Sequence, residues 1–386
     1  MPDRVRPARI LIVLPSWVGD SVMATPALRV IRRALPGALI GALARPGIDE
    51  VLAGTPFIDE FHVDVARGMM GPKRVASRLR IRRYDAAVLL TNSFSTALTV
   101  RLAGVPRRVG YDRDGRGLLL TERLDAPRRR DTEPFSRSSA DPDDWAPVAA
   151  CAYYFELARA LIAPWGAQAG PMGPLELCVR DAERAAAKEL LDELPGDGPL
   201  VVLNPGGNNP AKRWPAERFA LLGTHLAQRG ARLVVSGSSS EADVTAAVVR
   251  GLPEPARRRT LDMPALLAAR GPAIEERHKV SGLGLLKGLL GRAALMVTND
   301  TGPRHIAAAL GVPVVSLFGP TDHRWTSIPF DRERIIVADP SLPEEEVAND
   351  HPARCAIEKI EPDRVIAAAD ALLTLGAISP GGAAPS

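Results

Sequence analysis

Short apolar runs alternate with longer amphipathic stretches along this chain, and they do so in two series. In the first, residues 10–14, 39–43, 61–65 and 86–90 are apolar runs of strand length. Between them, 23–35, 75–81 and 95–102 have helical spacing; Val22, Leu28 and Ile31 supply one face of the first, and Pro36-Gly37 ends it. The second series predicts strands at 200–203, 232–235, 294–298 and 314–318. Its helices are at 216–228, 241–250, 283–290 and 301–310, with a final one at 362–375. Strands that alternate with helices predict an α/β fold with parallel sheets covered on both faces. The rhythm breaks at 128–147, rich in Arg, Asp, Ser and Pro, which reads as a surface loop. A helix follows at 149–163, then a Gly/Pro-rich stretch at 166–174. The expected division is a domain over 1–165, a linker over 166–180, a second domain over 181–360, a terminal helix over 361–376 and a disordered tail over 377–386.

A chain of 386 residues exceeds one ordinary core and suits two α/β domains of about 150–200 residues each. Aromatic residues are only 4%, which argues against a base-stacking nucleic-acid platform, so no nucleic-acid partner is expected. The net charge of +4 is modest and fits either a solvated Arg-rich surface or an anionic partner. Cys151, Cys178 and Cys355 lie far apart without a CxxC, which predicts neither disulfides nor zinc and fits a reducing cytoplasmic setting. The first ten residues are charged and lead into a strand, unlike a signal peptide, and no apolar run has membrane-span length. His278, His305, His323 and His351 are scattered, so no structural metal is expected.

Polar turns interrupt the apolar pattern where chemistry is expected. Leu14-Pro15-Ser16-Trp17-Val18-Gly19-Asp20-Ser21 follows the first strand and lies at the carboxyl edge of a sheet, where open α/β folds bind ligands. Gly19 permits a tight turn. Asp20 is either a helix N-cap or a catalytic carboxylate presented at that edge. The turn lacks GxGxxG and the matching downstream acid, which disfavours a nicotinamide dehydrogenase. Asn204-Pro205-Gly206-Gly207, followed by Lys212, is either an ordinary loop or a turn whose amides face a phosphate while Lys212 offers positive charge. In Asn299-Asp300-Thr301-Gly302-Pro303-Arg304-His305, Asp300 or Thr301 can cap the following helix, Gly302 lets a ligand approach, and Pro303 suits the first turn. Amides at such a helix start attract anions. Arg304 either adds a phosphate contact or faces solvent, and His305 is either a packed residue or a ligand. After the strand at 232–235, Ser240 can cap a helix, and Glu241 either suits its positive end or accepts hydrogen bonds from sugar hydroxyls. Trp17, Trp214 and Trp325 flank polar turns and are expected to pack them, with a sugar ring as the alternative contact for Trp17 or Trp325. Two phosphate-friendly turns in one half and a carboxylate turn in the other suggest a transferase using a nucleotide diphosphate, its reacting groups split between two domains.

Five segments in order across roughly residues 10–325 resemble the family 9 glycosyltransferases, the lipopolysaccharide heptosyltransferases, and most of all the heptosyltransferase II group. They are Pro15-Ser16-Trp17-Val18-Gly19-Asp20; Thr91-Asn92-Ser93 with Leu102–Pro106 and Arg108-Val109-Gly110-Tyr111; Pro210-Ala211-Lys212-Arg213-Trp214-Pro215; Asn299-Asp300-Thr301-Gly302 with His305; and Leu317-Phe318-Gly319-Pro320-Thr321. The resemblance implies a GT-B fold, two Rossmann-like domains facing each other across a cleft. The first would bind the acceptor, a lipid A–core oligosaccharide. The second would bind the nucleotide sugar, ADP-heptose, and the last helix would cross back to the first domain. Asp20 would be the general base of an inverting transfer. Ser16, Trp17, Gly19 and Asn92 would line the acceptor side. Gly206, Gly207, Lys212, Glu241, Asp300, Thr301, Gly302 and His305 would hold the donor. No cofactor is required, with magnesium an optional helper. The implied setting is cytoplasmic, peripheral on the inner membrane, with Arg107, Arg108, Arg113, Arg116 and 128–130 as candidate basic surface. Two alternatives stand beside this reading: a family 9 transferase for another sugar, surface glycan or protein acceptor, and a non-catalytic nucleotide-sugar binder. The chain departs from the family pattern in a shorter loop at 206–210, a lone Cys355 where many relatives pair two cysteines, and the insertion at 128–147.

Overall fold

The computed structural model describes residues 7–65, 68, 70–128 and 145–378. The chain forms two compact units. One runs to Glu176 and includes Arg324–Pro329; the other comprises Leu177–His323 and resumes at Phe330.

The first unit contains β1 (Arg9–Val13), β2 (Leu39–Ala44), β3 (Glu60–Val63), β4 (Ala86–Leu89), β5 (Arg107–Tyr111) and β6 (Glu122–Leu124). They form one parallel sheet in the order β3-β2-β1-β4-β5-β6. The second contains β7 (Leu200–Asn204), β8 (Arg232–Val235), β9 (Thr260–Asp262), β10 (Leu295–Asn299), β11 (Val314–Phe318) and β12 (Glu333–Val337). These form another parallel sheet in the order β12-β11-β10-β7-β8-β9. Numbered within its own unit, each sheet has the order third, second, first, fourth, fifth, sixth. The direction of winding therefore reverses between β1 and β4, and again between β7 and β10. Loops leaving neighbouring strands at such a point diverge to opposite faces and open a crevice. The central strands are buried on both faces, with Ile10, Leu11, Ile12, Val201, Val202 and Leu203 fully inaccessible.

Strands β5, β6, β9 and β12 escape the apolar pattern because their sequences are short and charged. Their charges are matched in the fold: Arg107 of β5 bonds Glu122 of β6 at 2.6 and 2.7 Å. The Asp181–Asp192 helix also went unpredicted, although Glu183 bonds back to the Arg180 amide at 2.8 Å in a capping box. The Met263–His278 helix runs through Gly271-Pro272, a pair that reads as a break in sequence. Burial of Met263, Pro264 and Ile274 overrides that local signal. The helix expected over 23–35 is Thr25–Ala34, and an additional short helix, Val18–Met23, precedes it and brings Asp20 into a helical turn.

The Gly/Pro-rich stretch is tied to the first unit. The Arg29 guanidinium bonds the carbonyls of Met172 and Pro174 at 2.9 Å and the Glu176 carboxylate at 2.8 Å. The terminal helix, Pro362–Ile378, belongs to the second unit. Val365, Ala369 and Leu372, spaced for one helical face, enter the core of the second with Trp214 and Phe219. Arg324–Pro329 belongs to the first unit. Most of the loop expected at 128–147, residues 129–144, lies outside the described residues, as does the tail from 379 onward. Among the described residues no helix is long and apolar enough to cross a membrane.

Candidate active site

In the first unit, β1 and β4 carry the predicted residues to the point where winding reverses. Pro15, Ser16 and Trp17 leave β1, and Trp17 occupies the N-cap position of the Val18–Met23 helix. Asp20 is thus the third helical residue and not the N-cap, with its carboxylate in the first turn, at the positive end of the helix. Ser16 and Trp17 are exposed, Trp17 at 66%, so Trp17 does not pack the turn as expected. Gly19 is buried. The Tyr154 hydroxyl donates to Asp20 Oδ1 at 3.2 Å. Burial, and then the Asp20 charge, push the Tyr154 phenol well above its usual value, so it remains a donor.

Asn92, in the loop after β4, is held by its side-chain oxygen. Arg116 Nη2 and the Tyr153 hydroxyl both reach its Oδ1 at 3.2 Å. Arg116 can only donate, which fixes the amide orientation. Arg116 is fully buried, and burial lowers it to about 10. Its remaining bonds go to the carbonyls of Tyr111, at 3.0 Å, and Thr91. Tyr111 and Tyr153 stack with ring centroids 3.8 Å apart. This corrects the expected basic surface. Arg116 is internal, Arg108 is 8% exposed and donates to the carbonyls of Leu119, Val105 and Pro106, and Arg107 is paired with Glu122. Arg113 and Arg128 lie over the Trp145 ring at 4.0 and 5.0 Å, while 129–130 lie outside the described residues.

In the second unit, the turns after β7 and β10 meet at the corresponding reversal. Asn299, the last residue of β10, clamps the glycine turn: its Nδ2 donates to the carbonyls of Pro205 and Gly206 at 2.9 and 3.0 Å, and its Oδ1 accepts from the Trp214 amide at 3.2 Å. Asn204, the last residue of β7, donates to Thr298 and Thr301 at 3.1 and 3.0 Å and accepts from Ser236 at 2.9 Å. Trp214 is fully buried and packs the turn as expected, its indole donating to the Ile360 carbonyl at 2.9 Å. The Asn209 side chain caps the Pro210–Lys212 turn at 3.0 Å, and Lys212 Nζ reaches Asp300 Oδ2 at 3.0 Å. Thr301 stands at the N-cap position of the Gly302–Ala309 helix, but its hydroxyl faces Asn204 and Thr298 and makes no side-chain cap bond. The helix start keeps its partial positive charge, with Pro303 lacking a donor in the first turn.

Glu241 ties two turns together. Its carboxylate accepts from the Gly207 amide, and from the Ser238 amide and hydroxyl at 2.7 and 2.8 Å. The helix begins at Ala242 with Glu241, not Ser240, at its N-cap position, and Ser238 holds the N-cap position of the short Ser239–Glu241 turn before it. A Cβ on Gly206 would lie 2.3 Å from Glu241 Oε1, which is why glycine stands there. Arg304 neither faces solvent nor is positioned as a phosphate contact. It is fully buried and grips Glu333 at 2.6 and 3.0 Å and Ser316 at 3.1 Å. His305 is 3% exposed, and its Nδ1 has no hydrogen-bond partner among the described residues. Burial, and then the Arg304 charge, hold it well below the ordinary imidazole value, so it is neutral. Among the described residues no three His, Cys, Asp or Glu side chains cluster as metal ligands.

Sequence reasoning missed Tyr154, Tyr153, Arg116, Asn204 and Ser236. A polar residue ending an otherwise apolar strand was an available signal for Asn204. Nothing local connects Tyr154 with Asp20, which are 134 positions apart.

Two doubly wound parallel sheets are the frame of the GT-B glycosyltransferases, the fold class of this chain. The family described as glycosyltransferase family 9 (heptosyltransferase) matches residues 73–355, so the chain belongs to that family and is a glycosyltransferase. It is 28% identical over 348 residues to lipopolysaccharide heptosyltransferase 2 of Escherichia coli K12, covering 85% of this chain and 87% of the relative. Lipopolysaccharide heptosyltransferase 1 of Pseudomonas aeruginosa is 28% identical over 329 residues, covering 82% and 80% respectively. The structure of E. coli ADP-heptose lipopolysaccharide heptosyltransferase II matches with a TM-score of 0.75 at 25% identity, covering 95% of this chain and 99% of that one.

Proposed function

We propose that the chain transfers a heptosyl group from ADP-heptose to a heptose hydroxyl of the lipopolysaccharide inner core, with inversion. The observation that carries the reading is the similarity to heptosyltransferase 2 over most of both chains, together with a carboxylate at one winding reversal and a lysine beside a helix start at the other. The acceptor oxygen attacks the anomeric carbon from the face opposite the phosphate. Asp20 takes the hydroxyl proton as the new C–O bond forms, and the bond to the β-phosphate breaks with its electron pair going to ADP. The Tyr154 hydrogen bond holds the Asp20 carboxylate in position.

Lys212 and the amides around Thr301-Gly302 stabilise the charge that develops on the departing phosphate. Asp300 orders Lys212 and binds donor sugar hydroxyls; Glu241 shapes the Gly206-Gly207 turn and meets the ribose with its remaining lone pairs. His305, neutral and buried, supports the donor turn. Ser16, Trp17, Gly19 and Asn92 form the acceptor side. In this reading the protein works at the cytoplasmic face of the inner membrane, where its lipid-linked acceptor lies, and magnesium is an optional helper.

The test offers ADP-heptose and a panel of other nucleotide sugars with core-truncated lipid A, and reads product by mass for wild type and Asp20→Ala. ADP-heptose-dependent product that falls about 10²-fold or more in the variant supports donor and base together. Transfer from another donor keeps the family and overturns the heptose assignment. Donor binding without transfer to any acceptor would indicate a non-catalytic binder.

A further inference from the structure

The whole-chain charge of +4 conceals a strong asymmetry. Residues 65–111 contain ten Lys and Arg against one acid, Asp85, a local +9 that leaves the rest of the chain at −5. Within that stretch the Gly71–Arg80 helix buries Val75, Ala76 and Leu79 and exposes Lys73, Arg74, Arg78 and Arg80. Arg74, Arg78 and Ile81 follow at i, i+4 and i+7 on the side away from the core. The adjoining Phe94–Leu102 helix ends in exposed Arg101 and Leu102, and Arg80 fastens the two helix ends by donating to the Leu102 carbonyl at 2.5 Å.

Several cations in the stretch are already used. Arg82 pairs with Glu60 at 2.9 Å, Arg107 pairs with Glu122, and Arg108 is buried. Asp85, the single acid, accepts the amides of Ala8 and Arg9. Lys73, Arg74, Arg78, Arg83 and Arg101 have no carboxylate at ion-pair distance among the described residues. Their placement is unfavourable by itself: Lys73 and Arg74 sit in the first helical turn, at the positive end of the dipole, and Arg74 repels Arg78 one turn on. An external anion removes both penalties. Large apolar side chains stand among these cations, with Ile81 80%, Met70 52% and Leu102 38% exposed. Cations interleaved with aliphatic side chains match an anionic lipid surface, whose headgroups take the charge and whose acyl boundary takes the apolar groups. A nucleic acid would favour aromatic stacking partners, and the two helices offer only Phe94.

We propose that the outer face of the helix pair Gly71–Arg80 and Phe94–Leu102, with Lys73, Arg74, Arg78, Ile81 and Arg101, docks on an anionic phospholipid surface. It deepens the reading above by identifying the face that would meet the membrane, and it rests on that reading only for the reason to approach one.

The experiment is co-sedimentation of the full chain with vesicles containing phosphatidylglycerol and with pure phosphatidylcholine vesicles. Wild type should bind the former, with binding falling steeply as salt rises. Lys73→Glu/Arg74→Glu/Arg78→Glu should lower partitioning by about 100-fold or more. Ile81→Ser should lower it by about tenfold. Melting temperature should be unchanged in both, since the altered side chains are exposed. Equal binding to both vesicles, or a triple variant that binds like wild type, overturns the proposal. So does a wild type that ignores vesicles but binds RNA through the same three residues. Transfer to a delipidated, water-soluble acceptor is measured in parallel and should be unaffected. Loss of that transfer in wild type refutes the transferase reading, whereas intact transfer without vesicle binding refutes the docking face alone.

Discussion

Arg304→Met separates a structural from a ligand-binding role for a residue next to the proposed donor turn. Arg304 is fully buried, Glu333 carries 5% side-chain exposure, and the two are joined by bonds of 2.6 and 3.0 Å, with Ser316 at 3.1 Å from the guanidinium. Methionine has similar volume, so the change leaves little cavity. It leaves the Glu333 carboxylate buried without its cation, a loss of about 3–5 kcal/mol. For a unit of this size that corresponds to a melting temperature lower by about 8–15 °C. Removing the second charge as well, in Arg304→Met/Glu333→Leu, should restore most of the loss. The recovery should fall short by about 1 kcal/mol because the buried Ser316 hydroxyl loses its partners. The assay is calorimetric melting of wild type, both single variants and the double, with donor KM for each. The reasoning fails if the double is as unstable as Arg304→Met. It fails equally if Arg304→Met melts like wild type while donor KM rises tenfold, since Arg304 would then be a ligand.

Three further outcomes are expected. Tyr154→Phe should cost about tenfold in kcat/KM with little change in melting, because it removes one hydrogen bond to a carboxylate, and the effect should vanish in an Asp20→Asn background; an equal loss in that background refutes action through Asp20. Gly206→Ala drives a methyl to 2.3 Å from Glu241 Oε1 and should weaken ADP binding at least tenfold in titration calorimetry, by the order of one lost charged hydrogen bond; unchanged affinity refutes the turn as part of the donor site. His305 is neutral in the fold, while the unfolded chain protonates it near 6.5. The unfolded state then binds the extra proton, so stability falls as pH drops below that value, by about 1.4 kcal/mol per unit for this one group. His305→Asn should flatten the slope of thermal stability from about pH 7 to 5, and an unchanged slope refutes the assignment.

The pattern along the chain was enough to specify the fold class and the central strands. Runs such as Ile10–Ile12 and Val201–Leu203 are apolar at every position and short, and a strand covered on both faces satisfies that composition. The polar turns after those strands were legible for the same reason, since a polar break directly after an apolar strand stands out. Margin strands were not legible. Arg107 looks like surface until Glu122 and two carbonyls of the Ala150–Ile162 helix are brought to it, and β12 begins with a glutamate whose partner, Arg304, lies 29 positions earlier.

Local sequence therefore determined the central strands and the polar turns that follow them, because backbone preference and side-chain burial act over a few residues. Tertiary structure decided what each polar side chain does. It made Asp20 a carboxylate with a tyrosine donor, Asn299 a clamp on the glycine turn, Arg304 a buried ion-pair partner and Glu241 a tie between two turns. Those roles depend on partners dozens of residues away or more, and a hydrogen bond or ion pair exists only when folding brings donor and acceptor within about 3 Å.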